Sequence, residues 1–278
     1  MIELPEAATL AAQASEVLSG RTIVDAEANH TPHKLTGYLG DPAAYRDLLV
    51  RRPVTGARGV AGHVQVEAED LRLVLNDGAN PRWYAPGDPV PERHQLRLAF
   101  DDGSTVLVTV AMYGGIQVFH DGGCENPYYR AALDKPSPLT PAFDSAWFAG
   151  LLDAPGAARL PAKAFLATEQ RIPGLGNGAL QDILWTARLH PRRKVGSLSD
   201  AERGALFDAV VGTLRAMTDA GGRNTERDLF GRPGGYATVM SRTTLELPCP
   251  RCGGRRTKEA YLGGAVYVCP GCQVPPQG

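Results

Sequence analysis

Four of the chain's five cysteines stand as two Cys-x-x-Cys pairs, Cys249-Pro-Arg-Cys252 and Cys269-Pro-Gly-Cys272, with 16 residues between the pairs. Two such knuckles joined by a hairpin-length segment set four thiolates at the corners of a tetrahedron. That geometry suits zinc and leaves no position for a catalytic water. One structural Zn2+ held by Cys249, Cys252, Cys269 and Cys272 is therefore expected, in a finger covering residues 236–278. The segment is too short for a core of its own, so metal binding, on the order of 10 kcal/mol, is what would fold it. A disulfide framework would want an exported chain, and Glu3 and Glu6 stand where a secretory signal carries positive charge. Cys124 stands alone and reads as a small, half-buried residue.

The formal net charge of −1 argues against a polyanionic partner only until the chain is divided. Residues 1–158 hold 12 Lys and Arg against 20 Asp and Glu, a net of −8, whereas residues 159–278 hold 17 against 10, a net of +7. A nucleic-acid surface confined to one half produces such a split. With 43% hydrophobic and 21% charged residues the chain can bury ordinary cores, and no apolar run reaches the roughly 18 residues of a membrane span. The location expected is the cytoplasm, at the nucleoid.

The element pattern changes once along the chain. Leu10, Ala11, Ala14, Val17 and Leu18 recur at helical spacing behind Pro5 and ahead of Gly20, which predicts a helix over 5–19. Short β-branched or alternating runs follow to about Phe119, separated by turn signals at Asn76-Asp77-Gly78 and Asp101-Asp102-Gly103, and interrupted by one helical stretch from Pro42 to Val50. Residues 1–120 thus read as a helix on a β-sandwich, and 121–141, rich in Gly and Pro, as a linker. Residues 142–235 carry helix grammar: Phe143–Leu152, Pro161–Thr168, Gly178–Leu189, and a long helix opened by the Ser199/Glu202 capping box and stopped at Gly221-Gly222. The fold class is α+β and multidomain: helix plus sandwich, a helix–two-turns–helix domain, and the finger.

The turn Pro173-Gly174-Leu175-Gly176-Asn177 stands just before a helix, where backbone amides meet the positive end of the helix dipole and can cradle a phosphate. Such a turn also serves as plain packing. Joined to Lys163, Arg192 and Arg193 nearby and to Arg255 and Arg256 in the finger, it predicts a two-point grip on a duplex backbone. Gly174, Gly176 and Asn177 are the expected contacts within the turn.

Three motifs together resemble the formamidopyrimidine-DNA glycosylase and endonuclease VIII family: Glu3-Leu4-Pro5-Glu6, Gly174-Leu175-Gly176-Asn177 through His190-Pro191, and the terminal cysteine pairs. The resemblance covers the whole chain. It implies removal of a damaged base from double-stranded DNA lying in a cleft between the two halves, with the damaged nucleotide flipped out and the protein acting as a monomer. This sequence departs from the pattern at three positions. Ile2 stands where the family has the proline whose amine attacks the sugar C1′, and a bulky Ile2 should leave Met1 uncleaved. Arg58-Gly59 is followed by Val60, not by the family's lysine. Gly264-Ala265 stands near the place of the finger arginine.

Two readings follow. In one, the chain is a monofunctional DNA N-glycosylase, weak or lacking in AP lyase activity, with Glu3 as general base on a water; Glu6 either shares that work or serves the helix start. In the other, it binds damaged or structured DNA without cutting it. Lys34, beside His30, His33 and Tyr38, would offer a substitute amine, and Met112-Tyr113 a side chain to fill the gap left by a flipped base.

Overall fold

Helix α1 (Leu4–Leu18) buries one face, through Ala7, Leu10, Ala11, Ala14 and Leu18, against the sheet that follows it. In this computed structural model, which describes residues 1–276, the sheet region comprises β1 (Ile23–Ala28), β2 (Thr36–Tyr38), the short helix α2 (Tyr45–Leu49), β3 (Gly56–Val60), β4 (His63–Ala68), β5 (Leu71–Tyr84), β6 (Leu96–Phe100) and β7 (Thr105–His120). The helical half comprises α3 (Pro127–Asp134), α4 (Ser145–Asp153), α5 (Ala162–Ala167), α6 (Ala179–Thr186) and α7 (Asp200–Asp219), followed by the hairpin β8 (Thr257–Tyr261) and β9 (Gly264–Val268). Among the described residues no helix is long and apolar enough to cross a membrane.

The sandwich is built from one seven-stranded sheet in the order β1-β6-β7-β5-β4-β3, with β2 parallel to β7. Two strands run through both of its layers. β5 pairs Leu71–Asp77 with Gly114–His120 of β7, and Ala79–Tyr84 with Thr105–Val110. Gly78 and residues 111–113 are left out of register between these stretches, and such a bulge bends a sheet. Val64, Val66 and Leu73 from one layer and Leu96, Leu98, Val106 and Val108 from the other consequently share a single core.

The two turn signals fare differently. Asp101-Asp102-Gly103 is a true turn, with the Asp102 carboxylate accepting from the Ser104 amide at 3.0 Å and Gly103 at φ +85. Asn76-Asp77-Gly78, expected to separate neighbouring strands, is instead the bulge inside β5: pairing with β7 on both sides outweighs the local turn preference.

The segment 121–141 also departs from expectation, since it carries α3 within the expected linker. Asn126 caps that helix, accepting from the Tyr128 amide at 2.9 Å, and Pro127 occupies its first turn. Its Tyr129 is buried with Val60, Val74, Phe119 and Cys124. The helical half has its own core, with Phe148, Phe165, Ile183, Leu206 and Leu214 from α4 to α7. Yet Leu229, assigned above to residues 142–235, packs in the sandwich core and accepts the Trp83 amide at 2.9 Å. The two halves are sewn together there.

Candidate active site and nucleic-acid interface

The glycine corner before α6 does hold an anion, but the anion is Glu3. One carboxylate oxygen accepts from the Gly178 amide at 2.7 Å and Arg223 Nη1 at 3.3 Å; the other accepts from Ala179 at 2.8 Å and Gly176 at 3.2 Å. An ionised carboxylate has about four lone-pair sites, and all are filled. The corner admits this only because its residues lack side chains. A Cβ on Gly176 would fall 2.6 Å from Glu3 Cδ, and one on Gly178 would fall 1.5 Å from Arg223 Nη1. The amides of Gly176 and Gly178 are therefore not free for a phosphate, which corrects the expected cradle. Gly174 is likewise committed inward, its carbonyl accepting the Leu4 amide at 2.8 Å.

Arg223, which sequence reasoning missed, is the cation of this cluster and is only 2% exposed. It reaches Glu6 through Nε at 2.9 Å and Nη2 at 2.7 Å. Burial alone would lower its pKa, but the charges of Glu3 and Glu6 hold it above the usual guanidinium range. Its only sequence signal is position: Gly221 and Gly222, both at positive φ, turn the chain back from α7 immediately before it. Glu6 also accepts the Glu3 amide at 3.2 Å, so it closes the start of α1 and braces Arg223. It does not line the cavity described next, which corrects its expected share in catalysis.

A cavity of about 660 Å³ opens where the N-terminal residues, the β5–β7 bulge, α5, the glycine corner and the finger tip meet. That volume lies within the roughly 300–1,000 Å³ of small-ligand sites. Its walls include Ile2, Asp77, Tyr113, Lys163, Asn177 and Gly264. Ile2 is locked in place: its side chain is buried and its amide donates to the Asp77 carbonyl at 2.5 Å. Asp77 is held at φ 52 in the bulge, and burial raises its pKa. Met112 and Tyr113, put forward by the bulge, are 60% and 45% exposed at the cavity edge. Lys163 is buried against the Tyr261 carbonyl, and burial lowers its pKa.

The expected backbone contacts sort into two groups. Asn177 faces the finger, its Nδ2 donating to the Ala265 carbonyl at 3.1 Å, and Gln181 of α6 donates to the same oxygen at 3.1 Å. The Gly264-Ala265 tip thus docks through backbone. Arg256 is buried, and it straps together the carbonyls of Val239, Thr244 and Pro248 at 2.6–2.9 Å, which corrects its expected place on DNA. Arg193 is spent on Ser197 and Glu202. Arg192 is exposed and paired with Glu259 at 2.7 Å while stacked over Tyr261, and Arg255 is exposed. Val60 is buried where the family lysine was sought. Lys34 is exposed and lines no part of the cavity, so the structure does not bring it to the site.

The four cysteines converge, with all four sulfur atoms within 4.8 Å of one another. Cys249 and Cys272 sulfurs are 3.8 Å apart and those of Cys252 and Cys269 are 3.4 Å apart. Tetrahedral zinc at about 2.3 Å from each sulfur needs edges of about 3.8 Å, so the residues fit the ion. Trp185 Nε1 donates to Cys249 Sγ at 3.4 Å, the outer-shell contact that orients such a ligand.

No family model matches the chain. It is 28% identical to the formamidopyrimidine-DNA glycosylase of Salinispora arenicola, over 100% of this chain and 98% of that one. It is 26% identical to the protein of that name from Streptococcus thermophilus, over 98% of this chain and 99% of the other. In fold it matches the Lactococcus lactis Fpg solved in complex with DNA containing an abasic site, with a TM-score of 0.81 at 22% identity over 98% of this chain and 100% of that one. The Thermus thermophilus MutM (Fpg) protein matches with a TM-score of 0.82 at 24% identity, over 99% and 100%.

Proposed function

We propose that the chain, 26–28% identical over nearly its full length to formamidopyrimidine-DNA glycosylases, is a member of that family and excises a damaged base from double-stranded DNA by hydrolysis, with weak or absent strand-cleaving lyase activity. One observation carries the reading. At residue 2 there is an amide, and its only hydrogen is spent on the Asp77 carbonyl at 2.5 Å. An amide nitrogen with its lone pair delocalised is no nucleophile toward C1′, and the Met1 terminal amine is paired with Glu226, so water takes that role. The cavity accommodates a flipped nucleoside, Lys163 and Asn177 stand at its wall to meet the sugar–phosphate chain, and Tyr113 stands at its edge to fill the gap in the stack. Arg192 and Arg255 extend the basic surface outward, and Zn2+ bound by the four cysteines would fix the finger whose tip closes the site. The molecule would act as a monomer on lesion-bearing duplex DNA in the bacterial cytoplasm.

Glu3 in this reading is a tie rod. It holds the N-terminal residues on α6, because four donors leave it no lone pair for a water. That same saturation favours the second reading, a protein that retains damaged or structured DNA without cutting it. A panel of lesion duplexes separates the two, scored for free base and for strand nicking independently. Base release exceeding nicking supports hydrolysis; tight lesion binding with no base released from any duplex supports the silent binder.

A further inference from the structure

Asp77 is the one wall carboxylate whose side chain accepts no hydrogen bond and forms no ion pair among the described residues, and it is half-buried. A half-buried carboxylate that no protein donor meets and that opens on a cavity has water or substrate as its complement. Its position is fixed twice over, by the β5 bulge and by the bond from the Ile2 amide to its own carbonyl. It is thus anchored beside the residue-2 nitrogen, the point from which the proposed water must attack.

We propose that Asp77 is the general base of the hydrolytic reaction, taking the place that sequence alone assigned to Glu3. This rests on the glycosylase reading above. A water held by the Asp77 carboxylate attacks C1′ of the flipped nucleoside while the C1′–N bond breaks. The electron pair of that bond leaves with the base, which takes a proton from solvent. Asp77 takes the proton of the attacking water and later returns it to bulk water, so that sugar hydroxyl and free base are the only products. Burial raises the proton affinity of Asp77, which favours its taking a proton from water.

Asp77→Asn tests this directly, because Asn tolerates the positive φ of the bulge and cannot accept a proton. Single-turnover base release should fall by about 10²–10⁴-fold, the usual worth of a positioned base, while lesion-duplex affinity stays within about twofold. Met1, whose amine is paired with Glu226, and Glu3 from the N-terminal residues, His63 from β4, Tyr113 from β7, Tyr128 from α3 and Lys163 from α5 line the same cavity, so the pH profile is the second readout. Wild-type release should decline toward acid as Asp77 protonates, and the residual activity of Asp77→Asn should lack that limb. Undiminished base release by a folded Asp77→Asn protein overturns the proposal and leaves the glycosylase reading standing. A wild-type protein that releases no base from any duplex in the panel overturns both.

Discussion

Glu3 and Asp77 line the same cavity, yet their surroundings are opposite. Glu3 is 3% exposed and accepts four hydrogen bonds, from three helix-start amides and a buried guanidinium. Asp77 has strained backbone, raised proton affinity and no donor. On the proposal above, the contrast teaches that the acidic residue of the N-terminal motif supports the fold while the one in an apparent turn is left open to a substrate or a water. A group with every lone pair satisfied has nothing left to offer a substrate.

The cysteine finger belongs on the satisfied side of that contrast, and its disruption should have the largest effect. With Cys249→Ser, or after stripping the metal with a chelator, most of the order of 10 kcal/mol from ion binding is lost. Residues 249–272 should then lose amide-exchange protection, and the tip should leave Asn177. Zinc content of the purified protein and exchange protection before and after chelation check this.

Arg223→Met comes next. It leaves Glu3 and Glu6 buried without their cation, and breaking such a cluster costs about 3–5 kcal/mol. Denaturant melts should show that loss, which would make the glycine corner a load-carrying joint between the two halves. A change under about 1 kcal/mol would break the comparison by showing that Glu3 needs no partner.

How much of this could be read from the sequence follows the same line. The helix over α1, the capping box of α7 and the convergence of the four cysteines were legible, because each rests on residues close in sequence. The acidic motif Glu3 to Glu6 and the glycine turn were legible as features but not as each other's partners, since their contact spans some 175 positions. Arg223 and Asp77 gave almost no signal: one is a single charge behind two glycines, the other sits in an Asn-Asp-Gly string that usually makes a hairpin. Helix α3 was hidden by Gly and Pro around it, although Asn126-Pro127 is a sound helix start.

The smallest stability effect should come from Asp77→Asn, within about 0.5 kcal/mol of the wild type in the same melts. Paired with the large loss from Arg223→Met, that outcome would sharpen the contrast between a carboxylate that supports the fold and one that does not.

The claim underneath is that attack on the sugar needs no protein amine, and borohydride trapping tests it most directly. During a reaction in which free base is being released, reduction should yield no covalent protein–DNA species. A trapped adduct forming in step with base release would show an imine intermediate and contradict the account.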